Sequence, residues 1–230
     1  MLKIDSVCKD YTRGRNVVQA LHSTSLSVQG GEFVAIVGPS GSGKSTLLSM
    51  VGGMLSPTSG RVLLEEKSLY EISVKERSRL RNEQIGFLFQ SFNLVPYLNA
   101  IENVQLPMSL YGTDRESQQN QAKQLLERFG LGDRLMHKPS ELSAGQQQRV
   151  AMARTLSMGP RLILADEPTG NLDPESRDLV LKTLHKLCEA GSTIILVTHD
   201  ASVSSTADRV FHIADGHAVE TTSSEYCEAA

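Results

Sequence analysis

Apolar and polar side chains alternate over residues 2–8 and again over 24–28, which predicts two strands of a half-exposed sheet joined through the polar segment Asp10 to Asn16. Gly30-Gly31-Glu32 interrupts the pattern, and Phe33-Val34-Ala35-Ile36-Val37 is then apolar throughout, as in a strand buried on both faces. A helix from about Lys44 to Met50 should stop at Gly52-Gly53. The turn Pro57-Thr58-Ser59-Gly60 should lead to a strand around 61–65, and a charged helix should cover 73–82. Ile85 to Phe89 reads as another buried strand, ending in Gln90. From Ser91 to about Met158 the period becomes helical, with Ala122, Leu125, Leu126 and Phe129 at i, i+3, i+4 and i+7. Strand runs return at 162–165, 193–197 and 210–213, with a helix of about 174–190 between the first two.

Strands alternating with helices predict an α/β fold: a core with a mostly parallel sheet, an antiparallel β part near the N-terminus and an inserted helical subdomain. The expected boundaries are 1–90 with 159–220 for the core, 91–158 for the helical insert, and 221–230 for a flexible tail of small polar residues.

The link after strand 33–37 changes the picture from fold to chemistry. Gly38-Pro39-Ser40-Gly41-Ser42-Gly43-Lys44-Ser45-Thr46 fits the pattern G-x-x-x-x-G-K-[ST] between a strand and a helix. Its glycines let successive backbone N–H groups converge on a phosphate, and the following helix adds the positive end of its dipole. Lys44 can then reach the β- and γ-phosphates of a nucleoside triphosphate, and the Ser45 hydroxyl is placed to ligate Mg²⁺.

Other strand ends supply partners for such a loop. Asp166 and Glu167 close the run Leu162 to Ala165, so Asp166 could hold Mg²⁺ directly or through water, and Glu167 could polarise an attacking water. Gln90 and His199 close two further apolar runs. Four strand ends are thus expected to converge on one crevice, as open α/β sheets build their sites. His22, His137, His185, His212 and His217 have no such placement and read as surface or core residues. Leu142 to Arg149 opens an apolar helix with a Ser143 cap and Gly145. That is either a routine N-cap or a second anion site, which makes sense if two chains pack head to tail around the nucleotide.

Composition limits the alternatives. The chain has 230 residues, 40% of them hydrophobic, enough for one sizeable core or a core plus a smaller subdomain. A formal charge of −3 provides no overall basic field for nucleic acid. Cys8, Cys188 and Cys227 are scattered, odd in number and without C-x-x-C spacing, which argues against a disulfide framework or zinc site and fits a reducing cytosol. The N-terminus starts directly on the strand pattern, and no apolar run reaches the ~18–20 residues that span a bilayer. The expectation is a soluble protein, any membrane role of which needs a partner.

From Leu2 to Glu220 the sequence resembles the ATP-binding subunit of an ATP-binding-cassette (ABC) transporter. The phosphate loop, Gln90, Leu142 to Gln146, Asp166–Glu167, Asn171-Leu172-Asp173 and His199 stand in that family's order and spacing. The resemblance implies a phosphate-loop, RecA-like core and ATP with Mg²⁺ as cofactors. It assigns the nucleotide to Tyr11, Gly38, Ser40 through Thr46, Ser143, Gly145, Gln146 and Asp173, the metal to Ser45, Gln90 and Asp166, and hydrolysis to Glu167, His199 and Gln90. From periodicity alone Tyr11 is more readily a half-buried anchor; by resemblance it matches the aromatic residue that stacks on adenine. The first of the family's two adjacent signature glycines is Ala144 here, whose methyl could crowd the γ-phosphate or require an unfavourable φ. Gln90 to Pro96 and Gly170 to Asp173 look most like the branch of lipoprotein-releasing, macrolide-exporting and cell-division ATPases.

The implied function is ATP hydrolysis that energises a separate membrane permease, in an export or mechanotransmission system. The implied assembly is a head-to-tail homodimer with ATP at the interface, peripheral on the cytoplasmic face of the inner membrane. The alternative is a soluble ABC ATPase acting on nucleic acid or ribosomes. Against it, the stretch from Gln90 to Leu142 is too short for long coiled-coil arms, and only one cassette is present. An Asn-Lys-x-Asp guanine motif is also missing, which argues against a nucleotide switch.

Overall fold

The computed structural model describes residues 1–14, 16–110 and 114–221. The predicted tail from Thr222 onward, with Cys227, lies outside the described residues. In chain order the elements begin with β1 (Leu2–Arg13), β2 (Asn16–Val28), β3 (Phe33–Val37), α1 (Lys44–Val51), β4 (Ser59–Leu64), β5 (Lys67–Ser68) and α2 (Val74–Gln84). Next come β6 (Ile85–Phe89), α3 (Ala100–Ser109), α4 (Arg115–Arg128), a 3₁₀ turn at Pro139–Glu141 and α5 (Ala144–Leu156). The chain continues through β7 (Leu162–Asp166), α6 (Pro174–Glu189), β8 (Thr193–Val197), α7 (Ala201–Ser204), β9 (Arg209–Ala214) and β10 (His217–Thr221). Its contacts divide into two compact units, residues 1–81 with 185–230, and residues 82–184.

In the first unit β3 runs parallel between β8 and β9, and β10 adds antiparallel to β9. Every residue of β3 and β8 is buried, which is why β3 reads as apolar throughout and β8 as apolar after Thr193. Each such Val or Ile contributes on the order of 1.5–3 kcal/mol by leaving water. Leu47, Leu48, Met50 and Val51 bury one side of α1. Beyond its C-terminus the Tyr70 hydroxyl lies 2.7 Å from the Met50 carbonyl and 2.6 Å from that of Leu55. Burial pushes the Tyr70 phenol up to about 12, with the Arg77 charge pulling the other way. Arg209 secures the edge strand β10 with a two-pronged contact to Glu220 (2.7 and 2.9 Å), and it also reaches Glu32 at 3.2 Å.

A second sheet in this unit is antiparallel, in the order β2-β1-β4-β5. The segment from Asp10 to Asn16, expected to be a polar link, is largely strand, because pairing continues from Tyr11↔Val18 out to Arg13↔Asn16. Val17 and Val18 there are 64% and 60% exposed. Solvent on both faces removes the alternation that marks a half-buried strand.

In the second unit β6 and β7 are parallel from Ile85↔Leu162 to Phe89↔Asp166. Helices α3, α4 and α5 enclose one apolar cluster that includes Val104, Met108, Leu126, Leu131 and Val150. The predicted stripe on α4 is buried at Ala122, Leu125 and Leu126, while Phe129 caps the helix and is only partly buried. Asn99 caps α3 in a capping box with Glu102. One turn later Asn103 is fully buried; its Oδ1 accepts from Val95 N at 2.8 Å, and its Nδ2 donates to the Val95 and Leu98 carbonyls.

Candidate functional site

The residues singled out in the sequence fall into two groups. Tyr11, the loop Gly38 to Thr46 and His199 belong to the first unit; Gln90, Ser143, Gly145, Gln146, Asp166, Glu167 and Asp173 belong to the second.

In the first group the loop leaves β3 and enters α1 without a side-chain cap. Gly38 (φ 147) and Gly43 (φ 102) both need glycine: a Cβ would run into the Ile213 carbonyl oxygen at one and the Ala20 carbonyl oxygen at the other. Lys44 is 7% exposed and its ammonium donates to the Gly38 carbonyl at 2.9 Å and the Pro39 carbonyl at 2.7 Å, which holds the charge at the loop. The Ser42 hydroxyl is buried with no hydrogen-bond partner among the described residues. A short cradle of N–H groups, a caged ammonium, an unspent buried hydroxyl and a first helical turn with no acidic residue together fit a polyphosphate. His199 follows β8, whose neighbour is β3 (Ile36↔Val197), so the loop and His199 leave the same end of adjacent parallel strands. Tyr11 stands opposite Val18, two residues along β2 from Ala20, whose carbonyl closes on Gly43.

In the second group Gln90 and Glu167 directly follow the paired residues Phe89 and Asp166. Glu167 is half-buried and left-handed at φ 45. Its turn is fixed by Gly170 N donating to the Glu167 carbonyl, and by Gln148, fully buried on α5, donating to the Pro168 carbonyl. Asn171 Nδ2 donates to the Gln90 carbonyl at 3.2 Å. Ser143 and Gln146 form a reciprocal capping box at the start of α5, Ser143 N to Gln146 Oε1 at 2.9 Å and Gln146 N to Ser143 Oγ at 3.3 Å. Gly145 lies against Ser176, whose backbone N–H and hydroxyl hold the exposed Asp173 carboxyl below the usual carboxylate range. A groove of about 470 Å³ runs past Arg149, Asp173, Ser176 and Leu179.

A family profile described as ABC transporter matches residues 21–170. The chain belongs to the ABC transporter family. It is 43% identical, over 98% of each chain, to an uncharacterised ABC transporter ATP-binding protein, YknY, of Bacillus subtilis. It is 46% identical to the lipoprotein-releasing system ATP-binding protein LolD of Shewanella denitrificans, over 94% of this chain and 93% of that one. A macrolide export ATP-binding/permease protein, MacB, of Campylobacter jejuni is also 46% identical over 98% of this chain, which spans only 34% of that longer protein. Among solved structures, the dimeric ATP-binding cassette MJ0796 in a post-hydrolysis state with ADP and phosphate superimposes with a TM-score of 0.90 at 39% identity, over 96% of this chain and 98% of that one. The expected fold, ATP hydrolysis and likeness to lipoprotein-releasing and macrolide-exporting subunits are therefore established.

As an ABC cassette the chain departs from its family's signature at Ala144, and the backbone there is relaxed. Ala144 is the first residue of α5, is exposed, and is not among the positive-φ residues, so the methyl brings no backbone strain. Three polar residues were not singled out in the sequence: Asn103, Gln148 and Arg154. Of these only Asn103 leaves a trace there, a polar residue inside the apolar pattern Ala100, Ile101, Val104 and Met108. Tyr11 is 44% exposed with the Lys9 ammonium 5.3 Å from its ring centroid, so an aromatic face is presented at the surface. Tyr11→Ala is expected to raise the KM for ATP about 5- to 150-fold, the loss of roughly 1–3 kcal/mol of base stacking, with kcat held. An unaltered KM in steady-state assays would leave Tyr11 a purely structural residue.

Proposed function

We propose that the chain is the ATP-hydrolysing subunit of an export or mechanotransmission system, working as a head-to-tail homodimer on the cytoplasmic face of a membrane and driving a separate permease. In this reading Lys44 and the loop amides bind the triphosphate, and Ser143, Gly145 and Gln146 of one copy close on the nucleotide held by the other. Ser45, Asp166 and Gln90 hold Mg²⁺, which when bound neutralises charge on the phosphate oxygens. Glu167 takes the proton of the attacking water, and His199 contacts the γ-phosphate end. Names of relatives support the permease: one is a lipoprotein-releasing system ATP-binding protein, and in another an ATP-binding part and a permease share one chain. Among the described residues no helix is long and apolar enough to cross a membrane.

The observation that carries this reading is the loop after Gln90. Phe92, Leu94, Val95 and Leu98 are only partly buried, and Tyr97 is 75% exposed. Large apolar groups held at a surface by a rigid loop mark a docking site. Asn103 fixes that loop from below through Val95 and Leu98. Here a short cytoplasmic helix of the permease would lie, and movement of Gln90 would pass to it. Leu94 also packs on the helical cluster, which makes Tyr97 the cleaner probe. Tyr97→Gln, alone and with Leu94→Gln, should leave the ATPase rate of the isolated chain near wild type and abolish co-purification with the permease. Full permease binding and transport by the double variant would sink the assignment.

A further inference from the structure

Helix α5, which begins at the Ser143 cap, is fastened to the loop beyond Gln90 by one side chain. Arg154 donates from Nη1 to the Asn93 carbonyl at 2.6 Å and from Nη2 to the Phe92 carbonyl at 2.8 Å. The two residues so held are both left-handed, Phe92 at φ 57 and Asn93 at φ 49. For a phenylalanine that conformation is a genuine outlier, so it persists only where the surroundings impose it. Just upstream, Phe92 N donates to the Phe89 carbonyl at 3.3 Å and Asn171 holds the Gln90 carbonyl, so Gln90 sits between fixed points. Its side chain lies against Gly170, where a Cβ would come within 2.8 Å of Gln90 Nε2. Next to Arg154 on the same helix, Thr155 Oγ1 donates to the Phe87 carbonyl at 2.7 Å, which ties α5 to the strand that delivers Gln90. Bridging two successive carbonyls uses the planar fork of a guanidinium; a lysine ammonium on its flexible stem does not reproduce that geometry.

We propose that Arg154 is a positioning residue for Gln90: by holding the Phe92 and Asn93 carbonyls it imposes the left-handed turn that aims the Gln90 carboxamide. A displacement of α5 at its Ser143 end is thereby felt at Gln90 without any contact between the two. The inference rests on the reading of Gln90 as a Mg²⁺ residue, and the test separates them. Hydrogen exchange on nucleotide-free protein comes first. Arg154→Lys should speed amide exchange in residues 91–98 about tenfold or more, the loss of charge-assisted hydrogen bonds, while α4 stays as protected as in wild type. Second, Arg154→Lys should raise the Mg²⁺ concentration for half-maximal hydrolysis about 10- to 100-fold, as loss of a residue that orients a metal ligand does. Gln90→Ala should do the same, and the double variant should be no worse than Gln90→Ala alone. Arg154→Gln, which has a single donor nitrogen on a shorter side chain and so cannot bridge both carbonyls, should give the same two results if the lysine variant folds poorly. Unchanged exchange at 91–98, or faster exchange across the whole of 82–184, overturns the proposal, as do effects of the two single variants that multiply. A Gln90→Ala protein with a wild-type Mg²⁺ requirement overturns the Gln90 reading itself, and the proposal with it.

Discussion

Lys44→Met should abolish useful ATP affinity in calorimetry, weakening binding by about 2–5 kcal/mol, or roughly thirty-fold to several thousand-fold. Lys44 is 7% exposed and its ammonium is held by two carbonyls of its own loop, so it meets a triphosphate as a largely desolvated charge whose attraction is little screened. Methionine keeps the apolar stem and removes only the charge, which separates electrostatics from packing. A thermal melt recorded in parallel should move little if the loop keeps its shape around Gly38 and Gly43. Nearly wild-type affinity would remove the central premise of the proposed site.

Glu167→Gln should lower hydrolysis roughly 10²- to 10⁴-fold while ATP still binds, because glutamine has the shape of the carboxylate without its basicity. The surrounding turn, with Gly170 N and Gln148 holding its two sides, has no reason to change. With turnover blocked, the protein should accumulate as an ATP-bound dimer on size-exclusion chromatography. Adding Ser143→Arg should disperse that dimer, since a bulky cation then stands at a helix N-terminus where positive charge is disfavoured. Only monomer in the Glu167→Gln sample with ATP would leave the head-to-tail arrangement without its best support.

Sequence pattern located the buried parts of this molecule closely and the exposed parts poorly. Strands β3, β6 and β8 have the bounds expected of them, because β3 and β8 are buried throughout, β6 is partly exposed only at Phe87 and Phe89, and Thr193 is the one polar residue in the three runs. The hairpin tip around Tyr11 and Val18 was hidden by solvent on both faces. Strand β10, His217–Thr221, is paired along one edge, with β9, and has a mostly exposed surface; Arg209 holds its Glu220 from the adjacent strand, and His217 stacks on His22. Helix α7 has four residues, too few for any period to show. In the site, the loop at Lys44 and the cap at Ser143 were readable because backbone geometry dictates their residue types. Arg154 and Gln148 were not, since both act through carbonyls of residues distant along the chain, and a carbonyl carries no sequence.

Glu167 occupies a backbone conformation that costs an L-residue with a long side chain roughly 1–2 kcal/mol, and that glycine or asparagine would adopt with less strain. A carboxylate at this position is thus kept against the preference of its own main chain. Selection for heat resistance alone would exchange it early and, on the role proposed for Glu167, produce a sturdier, idle protein. On that role durability and turnover pull in opposite directions at this one residue, and its glutamate sides with turnover.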